Sequence, residues 1–367
     1  MHHTERNSDD IVLAGTDPAK APDVTPLALN DAALTRPLSS RERILGTMQG
    51  RGADVVPAAP AYLCLTLDPA YTAAYIRGWK PYLEQSARTE FDHERDTEIR
   101  AHALITAYQS LSVMPDWIEV PLGLARAQSQ GSFLQPCGEG LLFSGRISGA
   151  RDRSSDSSGL PCNHMLYRAV SGVFYTPHVK GRRVESASEV DVLMPTLTAN
   201  QLLQSGAFDL PARIAAQYGD RHCLSTVLNT PYSFAYSLLG FEGLMLKQQS
   251  DPSLLHRVLE RSLDRALAMV SALKVAGLHG VYFQEVMSGA DAISPVAFEQ
   301  YSLRYLRPLI KHAAQEGLFS VLYFSGNSMP RLELLAGMGP SALALEESKK
   351  DFRCRLRKWC GAWAARQ

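Results

Sequence analysis

The chain has 367 residues, 46% hydrophobic and 20% charged, the balance of a globular protein long enough to bury a large core. Its 37 basic and 37 acidic side chains cancel, which removes the electropositive footprint needed for sequence-independent phosphate contacts and disfavours a nucleic-acid role. No apolar run approaches the roughly 18 to 20 residues that span a bilayer, and the N-terminus is polar and acidic rather than a signal sequence, so the expected compartment is the cytoplasm.

Residues 1 to about 38, rich in Asp, Thr, Ala and Pro without periodicity, read as a disordered leader. From Ser39 the chain reads as a short helix with Ser39 or Ser40 as its cap, Ile44, Leu45 and Met48 on one face, and Gly50 and Gly52 as its stop. The apolar run Val55 to Leu67, interrupted by Pro57 and Pro60, is a candidate first strand that opens into a loop at Asp68-Pro69. A charged helical stretch from about Lys80 to Ser112 leads to a second strand, Asp116 to Val120, closed by Pro121. From about Ala125 to Arg183 the composition turns to Gly and Ser, which predicts a long excursion with some hairpin content.

Helical segments from Ser188 and Asp209 precede a third strand, Cys223 to Leu228, and a further helical run passes through Leu239-Gly240. The clearest helix takes Asp251 as N-cap and Pro252 as its first residue, then lines Leu255, Leu259, Leu263, Ala266, Leu267, Val270 and Leu273 along one face until Gly277. Strands Gly280 to Gln284, Phe319 to Phe324 and Ala342 to Leu345 alternate with helices from Ser294-Pro295 to about Ala314 and from about Pro330 to Ala336. Such alternation demands parallel crossovers and an α/β fold, either a barrel or an open doubly wound sheet. A nucleotide-binding sheet is disfavoured, because no Gly-x-Gly-x-x-Gly follows the first strand and no Gly-Lys-Ser/Thr phosphate loop is present. The six cysteines contain no Cys-x-x-Cys and the ten histidines no His-x-x-x-His or His-x-Cys, so neither a disulfide framework nor a local metal motif is legible.

Several segments carry a family resemblance: Ser40-Arg-Glu-Arg-Ile-Leu, Tyr236-Ser-Leu-Leu-Gly-Phe-Glu-Gly-Leu-Met, and above all Phe283-Gln-Glu-Val-Met-Ser-Gly-Ala-Asp-Ala-Ile-Ser-Pro-Val-Ala-Phe-Glu-Gln-Tyr, followed by Tyr305-Leu-Arg-Pro-Leu-Ile, Ser325-Gly-Asn and Leu345-Glu-Glu. Over about Ser40 to Glu347 the chain resembles the uroporphyrinogen decarboxylase superfamily, closer to its divergent methyltransferase-like members. The resemblance implies a (β/α)8 TIM-barrel type fold, about six of whose eight strands are present, with residues 39–347 as the barrel. Residues 348–367, dense in Arg, Cys and Trp, read as an atypical tail in place of the last two β/α units. It also implies chemistry at the C-terminal ends of the strands: decarboxylation of uroporphyrinogen acetate arms, or methyl transfer with a corrinoid protein and a zinc-activated thiol. The expected partners are accordingly a tetrapyrrole or a corrinoid protein, and a second copy covering an open barrel edge; the alternative is a catalytically inactive or truncated homologue.

Set against the family pattern, the end of the second strand carries Glu119 where the decarboxylases have Asp, and the arginines expected after the first strand are absent from Leu65-Thr66-Leu67-Asp68. Zinc is doubtful because Tyr323 and Ser325 occupy the expected His and Cys positions, and phenol and hydroxyl ligate zinc poorly at neutral pH. Glu285, at the end of the fourth strand, is a candidate general acid or base at the mouth, as is Glu119. Ser288 and Gly289 offer a loop whose amides approach a ligand, or only a turn into Ser294. Tyr232 is a candidate to stack on a flat macrocycle or to pack in the core, Asn327 to contact a ligand or cap its strand, and Glu346 or Glu347 to face the lumen.

Overall fold

Five of the apolar runs form one parallel sheet in the computed structural model, which describes residues 37–59, 67–84, 88–111, 113–137, 140–144, 164–168 and 184–346. The described residues from Leu38 to Glu346 belong to one compact unit. The N-terminal part holds α1 (Ser40–Met48), α2 (Asp68–Leu83), β1 (Thr89–Glu90), α3 (His93–Gln109) and β2 (Trp117–Glu119). The region of the expected excursion holds α4 (Arg126–Ser129), β3 (Phe133–Cys137), β4 (Gly140–Ser144) and β5 (His164–Arg168). There follow α5 (Ala187–Leu193), α6 (Ala199–Gln204), α7 (Asp209–Tyr218), β6 (Cys223–Asn229), α8 (Pro231–Ser250), α9 (Pro252–Val275) and β7 (Gly280–Glu285). The last part comprises α10 (Pro295–Ala297), a π-helical segment Phe298–Leu303, α11 (Arg304–Gln315), β8 (Phe319–Phe324), a 3₁₀ turn Met329–Arg331, α12 (Leu332–Gly337) and β9 (Ala342–Leu345).

The parallel sheet runs β2-β6-β7-β8-β9, and β1-β3-β4-β5 form a separate antiparallel sheet that accounts for the hairpin content of the excursion. Of the six expected strands the first differs: residues 55–59 carry no strand, and residues 60–66 lie outside the described residues, as do the tail and Glu347. Asp68-Pro69 does not open a loop either. Proline's fixed φ suits the first turn of a helix, where its missing N–H is no loss, and α2 starts there.

Both faces of the sheet are covered, which is why its strands read as unbroken apolar runs. Ile118, Leu224, Val281, Phe283, Leu322 and Phe324 face the helices and join the main core. Trp117, Cys223, Tyr282, Phe319 and Val321 alternate with them on the opposite, interior face, where Ile44 of α1 packs against them with Leu45 and Met48 alongside. The α1 helix carries the capping box expected at its start: Ser39 Oγ accepts from Glu42 N at 3.3 Å while Glu42 Oε2 accepts from Ser39 N at 2.8 Å. It is pinned to the strand entrances by Arg43, which donates to Asp54 Oδ1 at 2.6 Å and Asp116 Oδ1 at 2.9 Å. Asp116 Oδ2 in turn accepts from Ala58 N at 2.9 Å. The Arg43 guanidinium holds the Asp54 carboxyl down at about 2. At the same end Leu224 N donates to His279 Nδ1 at 3.0 Å, and burial pushes that imidazole's pKa down to about 4.

The α9 helix matches its sequence signature. Asp251 Oδ1 accepts from Leu254 N at 3.1 Å, Leu255, Leu259, Ala266, Val270 and Leu273 are buried, and Gly277 leaves the helix at φ 86°. The stretch predicted as one helix from Ser294 to Ala314 is instead split by the π-helical segment, which widens the coil and turns Ser302 toward the strand ends.

Candidate functional site

In a parallel sheet, residues in register on neighbouring strands share a face, so the pairings fix which side chains meet at the C-terminal edge. Asn229 of β6, Gln284 of β7 and Tyr323 of β8 stand in one row on the interior face, continuous with Ala344 of β9. Glu119 ends β2 opposite Ser225 on that same face, and Tyr108 Oη accepts at 2.7 Å from its backbone N–H. Tyr323 stacks on Tyr282 at 6.1 Å with an interplanar angle of 21°. Just beyond the strands, the Glu346 carboxylate accepts from Gly326 N at 2.6 Å and Ser325 Oγ at 3.4 Å, so Ser325 and Glu346 meet as one group. Glu119 and Asn229 also border a cavity of about 330 Å³.

The loops after β7 and β8 are laced together beside this rim. Asn327 N donates to Asp291 Oδ1 at 2.7 Å, Ala290 N donates to Asn327 O at 2.9 Å, and Asn327 Oδ1 accepts from Met329 N at 3.3 Å. Asn327 thus spends its backbone and side chain on holding the two loops. Gly289 and Gly326 are required at this crossing. A Cβ on Gly289 would lie 2.2 Å from Asp291 Oδ1, and one on Gly326, at φ 87°, 2.5 Å from the same oxygen. Met287, just before this crossing, is held at φ 60°, a left-handed conformation uncommon outside glycine, asparagine and aspartate.

Glu285 is not at the mouth where the sequence suggested it. Alternation puts it on the helix side with Val281 and Phe283, fully buried, and its neighbour Gln284 takes the interior position. Its carboxylate accepts from Thr230 Oγ1 and, at 2.7 Å, from Ser302 Oγ. Burial pushes its pKa up, against the pull of the surrounding hydroxyls and of Arg331. Ser288 is buried beside it, turned away from solvent, while Ser233 Oγ accepts from Val286 N at 2.7 Å. Arg331, only 3% exposed, donates to Ile293 O at 2.6 Å and lies 4.2 Å from the Phe298 ring centroid. Burial pushes its pKa down to about 10. Tyr232 belongs to this buried region as well. It is 1% exposed, its hydroxyl accepts from Gln248 Nε2 at 3.1 Å, and burial raises the phenol's pKa, so the core-packing alternative describes its position.

The structure therefore gathers Glu119, Tyr323, Ser325 and Glu346 on the interior side and Glu285, Ser288 and Tyr232 on the other, with Gly289 and Asn327 in the loop crossing between. Sequence reasoning missed Gln284, Asn229, Asp291 and Arg331. Two glycines after successive strands were the one signal that pointed to Asp291, since each leaves room for its carboxylate. Among the described residues no group of three or more His, Cys, Asp or Glu is placed to hold a metal, and Ser325 and Glu346 are engaged with one another. A phenol, a hydroxyl and a hydrogen-bonded carboxylate do not fit a zinc centre.

The family model described as uroporphyrinogen decarboxylase (URO-D) matches residues 175–359, half of the chain. The chain belongs to the uroporphyrinogen decarboxylase family. The match takes in β6 to β9 and every residue of the rim except Glu119, and it runs into the segment after Glu347. Curated uroporphyrinogen decarboxylases from Neisseria meningitidis strains of serogroups C, A and B are 28% identical over 158 residues, 41% of this chain and 43% of theirs. The chain thus aligns with less than half the length of these URO-D relatives. A solved methyltransferase from Methanosarcina mazei superposes with a TM-score of 0.50 at 16% identity, covering 83% of this chain and 75% of that one. That likeness shows the fold, an α/β arrangement of TIM-barrel type. No helix among the described residues is long and apolar enough to cross a membrane.

Proposed function

We propose that this URO-D family chain binds a tetrapyrrole at the interior rim of its parallel sheet and that porphyrinogen decarboxylation is the chemistry its side chains suit best. The observation that carries this reading is the polar row Asn229–Gln284–Tyr323, flanked by carboxylates at Glu119 and Glu346. Loss of CO₂ from an acetate arm needs the adjoining pyrrole protonated at carbon, and the resulting cation is stabilised by a carboxylate held near its N–H. Glu119 is half-buried at a strand end and is the carboxylate assigned that role. Glu346, tied down by Gly326 N, serves as a fixed acceptor for a second pyrrole N–H. Corrinoid-linked methyl transfer is the less supported branch, because Tyr323 and Ser325 do not make a thiol-activating metal site.

Two experiments test the reading. Absorbance titration of the full chain with a porphyrin, and separately with a cobalamin, is expected to give saturable binding of the porphyrin. Incubation with uroporphyrinogen, followed by oxidation and chromatography by carboxyl number, is expected to give products with fewer carboxylates, and Glu119→Gln to slow their formation by about 10²-fold. A folded chain that binds neither macrocycle would overturn the proposal. The turning of Glu285 into the helix layer favours a second reading, a homologue that binds without turnover; saturable porphyrin binding with no decarboxylated product would select it.

A further inference from the structure

The α9 helix presents Ser262, Arg265, Ala266 and Met269 at helical spacing on one face, and that face lines the cavity of about 330 Å³. An arginine on the inward side of a helix whose other inward residues are Leu255, Leu259, Val270 and Leu273 is an anomaly. Arg265 is half-buried, and charges withdrawn from water are normally paired. Among the described residues no carboxylate or carbonyl pairs with Arg265, and burial alone acts on its pKa, downward. The opposite wall is the helix-facing side of β6, with Thr226 and Leu228, closed by Phe234 of α8 and by Leu122 after β2.

We propose that this cavity binds a small organic monocarboxylate, its charge held by Arg265 and its carbon body among Leu122, Leu228, Phe234 and Met269. The planar guanidinium fork matches a carboxylate in two parallel hydrogen bonds. A single cation, with Glu119 at the rim of the same cavity, suits one negative charge and opposes a second, which argues for a carboxylate over a phosphate dianion. The volume lies at the low end of the range for small-molecule pockets, about 300 to 1,000 Å³, and its walls are mostly apolar, which calls for a ligand with a short hydrocarbon or aryl body.

The cavity shares Glu119 and Asn229 with the rim, but the inference does not rest on the tetrapyrrole reading, because its readout is carboxylate binding through Arg265. The test is saturation-transfer NMR and calorimetry on the full chain with butyrate and benzoate as probes, their amides butyramide and benzamide as uncharged matches, and inorganic phosphate. At least one carboxylate is expected to bind saturably while its amide and phosphate do not. Arg265→Gln, checked for unchanged circular dichroism, is expected to weaken that binding by about tenfold or more, the loss of a charge-assisted hydrogen bond. The wild-type comparison of acid with amide needs no variant and decides the matter if Arg265→Gln fails to fold. Absence of carboxylate binding, equal binding of the amide, preference for phosphate, or undiminished binding by Arg265→Gln would each overturn the proposal.

Discussion

Adjacent residues at the end of β7 serve two differently built sides of the sheet. On the helix side, Glu285 is fully buried, its oxygens taken by Thr230 and Ser302, with Arg331 below the same loops. On the interior side, Gln284 is half-buried, and its row neighbour Asn229 is exposed. The first side fixes where the β6, β7 and β8 loops leave the sheet; the second presents a polar rim. Precision at the rim is thus supplied from behind it, by the buried hydrogen bonds of Glu285 and Arg331.

The contrast predicts unequal responses to substitution. The largest is at Glu285: Glu285→Ala leaves two buried hydroxyls and the Arg331 charge uncompensated, and is expected to cost about 3–5 kcal/mol in urea denaturation. A loss below about 1 kcal/mol would show that the buried side is not the support described. Next comes the loop crossing, where Gly326→Ala meets both a left-handed φ and the Asp291 carboxylate; the expected cost is about 1–3 kcal/mol, with Gly337→Ala, whose Cβ meets nothing within 4 Å, as the mild control.

Smaller still are the pH effects, which have opposite signs on the two groups. Glu285 has a raised folded pKa, so the folded state binds the extra proton and stability falls as pH rises from the ordinary value of 4.5 through the raised one. His279 has a lowered folded pKa, so the unfolded state binds the extra proton and stability falls as pH drops from 6.5 toward about 4. Denaturation midpoints measured across this range should lose the alkaline-side slope in Glu285→Gln and the acid-side slope in His279→Asn. The smallest effect on folding is expected at the rim, where Glu119→Gln should change stability by no more than about 1 kcal/mol. A larger change would make Glu119 part of the scaffold and remove the contrast.

The strands β2 and β6 to β9 were legible because burial on both faces leaves short apolar runs that nothing else in the chain imitates. The same cause hid the facing of their ends. A strand apolar on both sides has no alternation to read, so Gln284 and Glu285 could be exchanged without offending the pattern, and one residue of slip reverses the face. Resemblance supplied a carboxylate at a strand end but not its direction. Asp68-Pro69 misled because the same dipeptide suits a turn and a helix start, and only the fifteen or so residues after it decide which. Arg265 and Arg331 were invisible as site features for another reason: each is defined by which distant groups it does or does not meet, and spacing along the chain carries no record of that.

The two-carboxylate hold of Arg43 gives the molecule a sense of direction. α1 is stitched across the strand entrances to Asp54 and Asp116, and Arg41 N is bonded at 2.9 Å to Arg221 O ahead of β6, so the lower end is closed by bonds from several segments of the chain. Amide hydrogen exchange at the entrances of β2 and β6 should therefore be slow, and Arg43→Ala should speed it there while leaving the Asp291-tied loops after β7 and β8 unchanged.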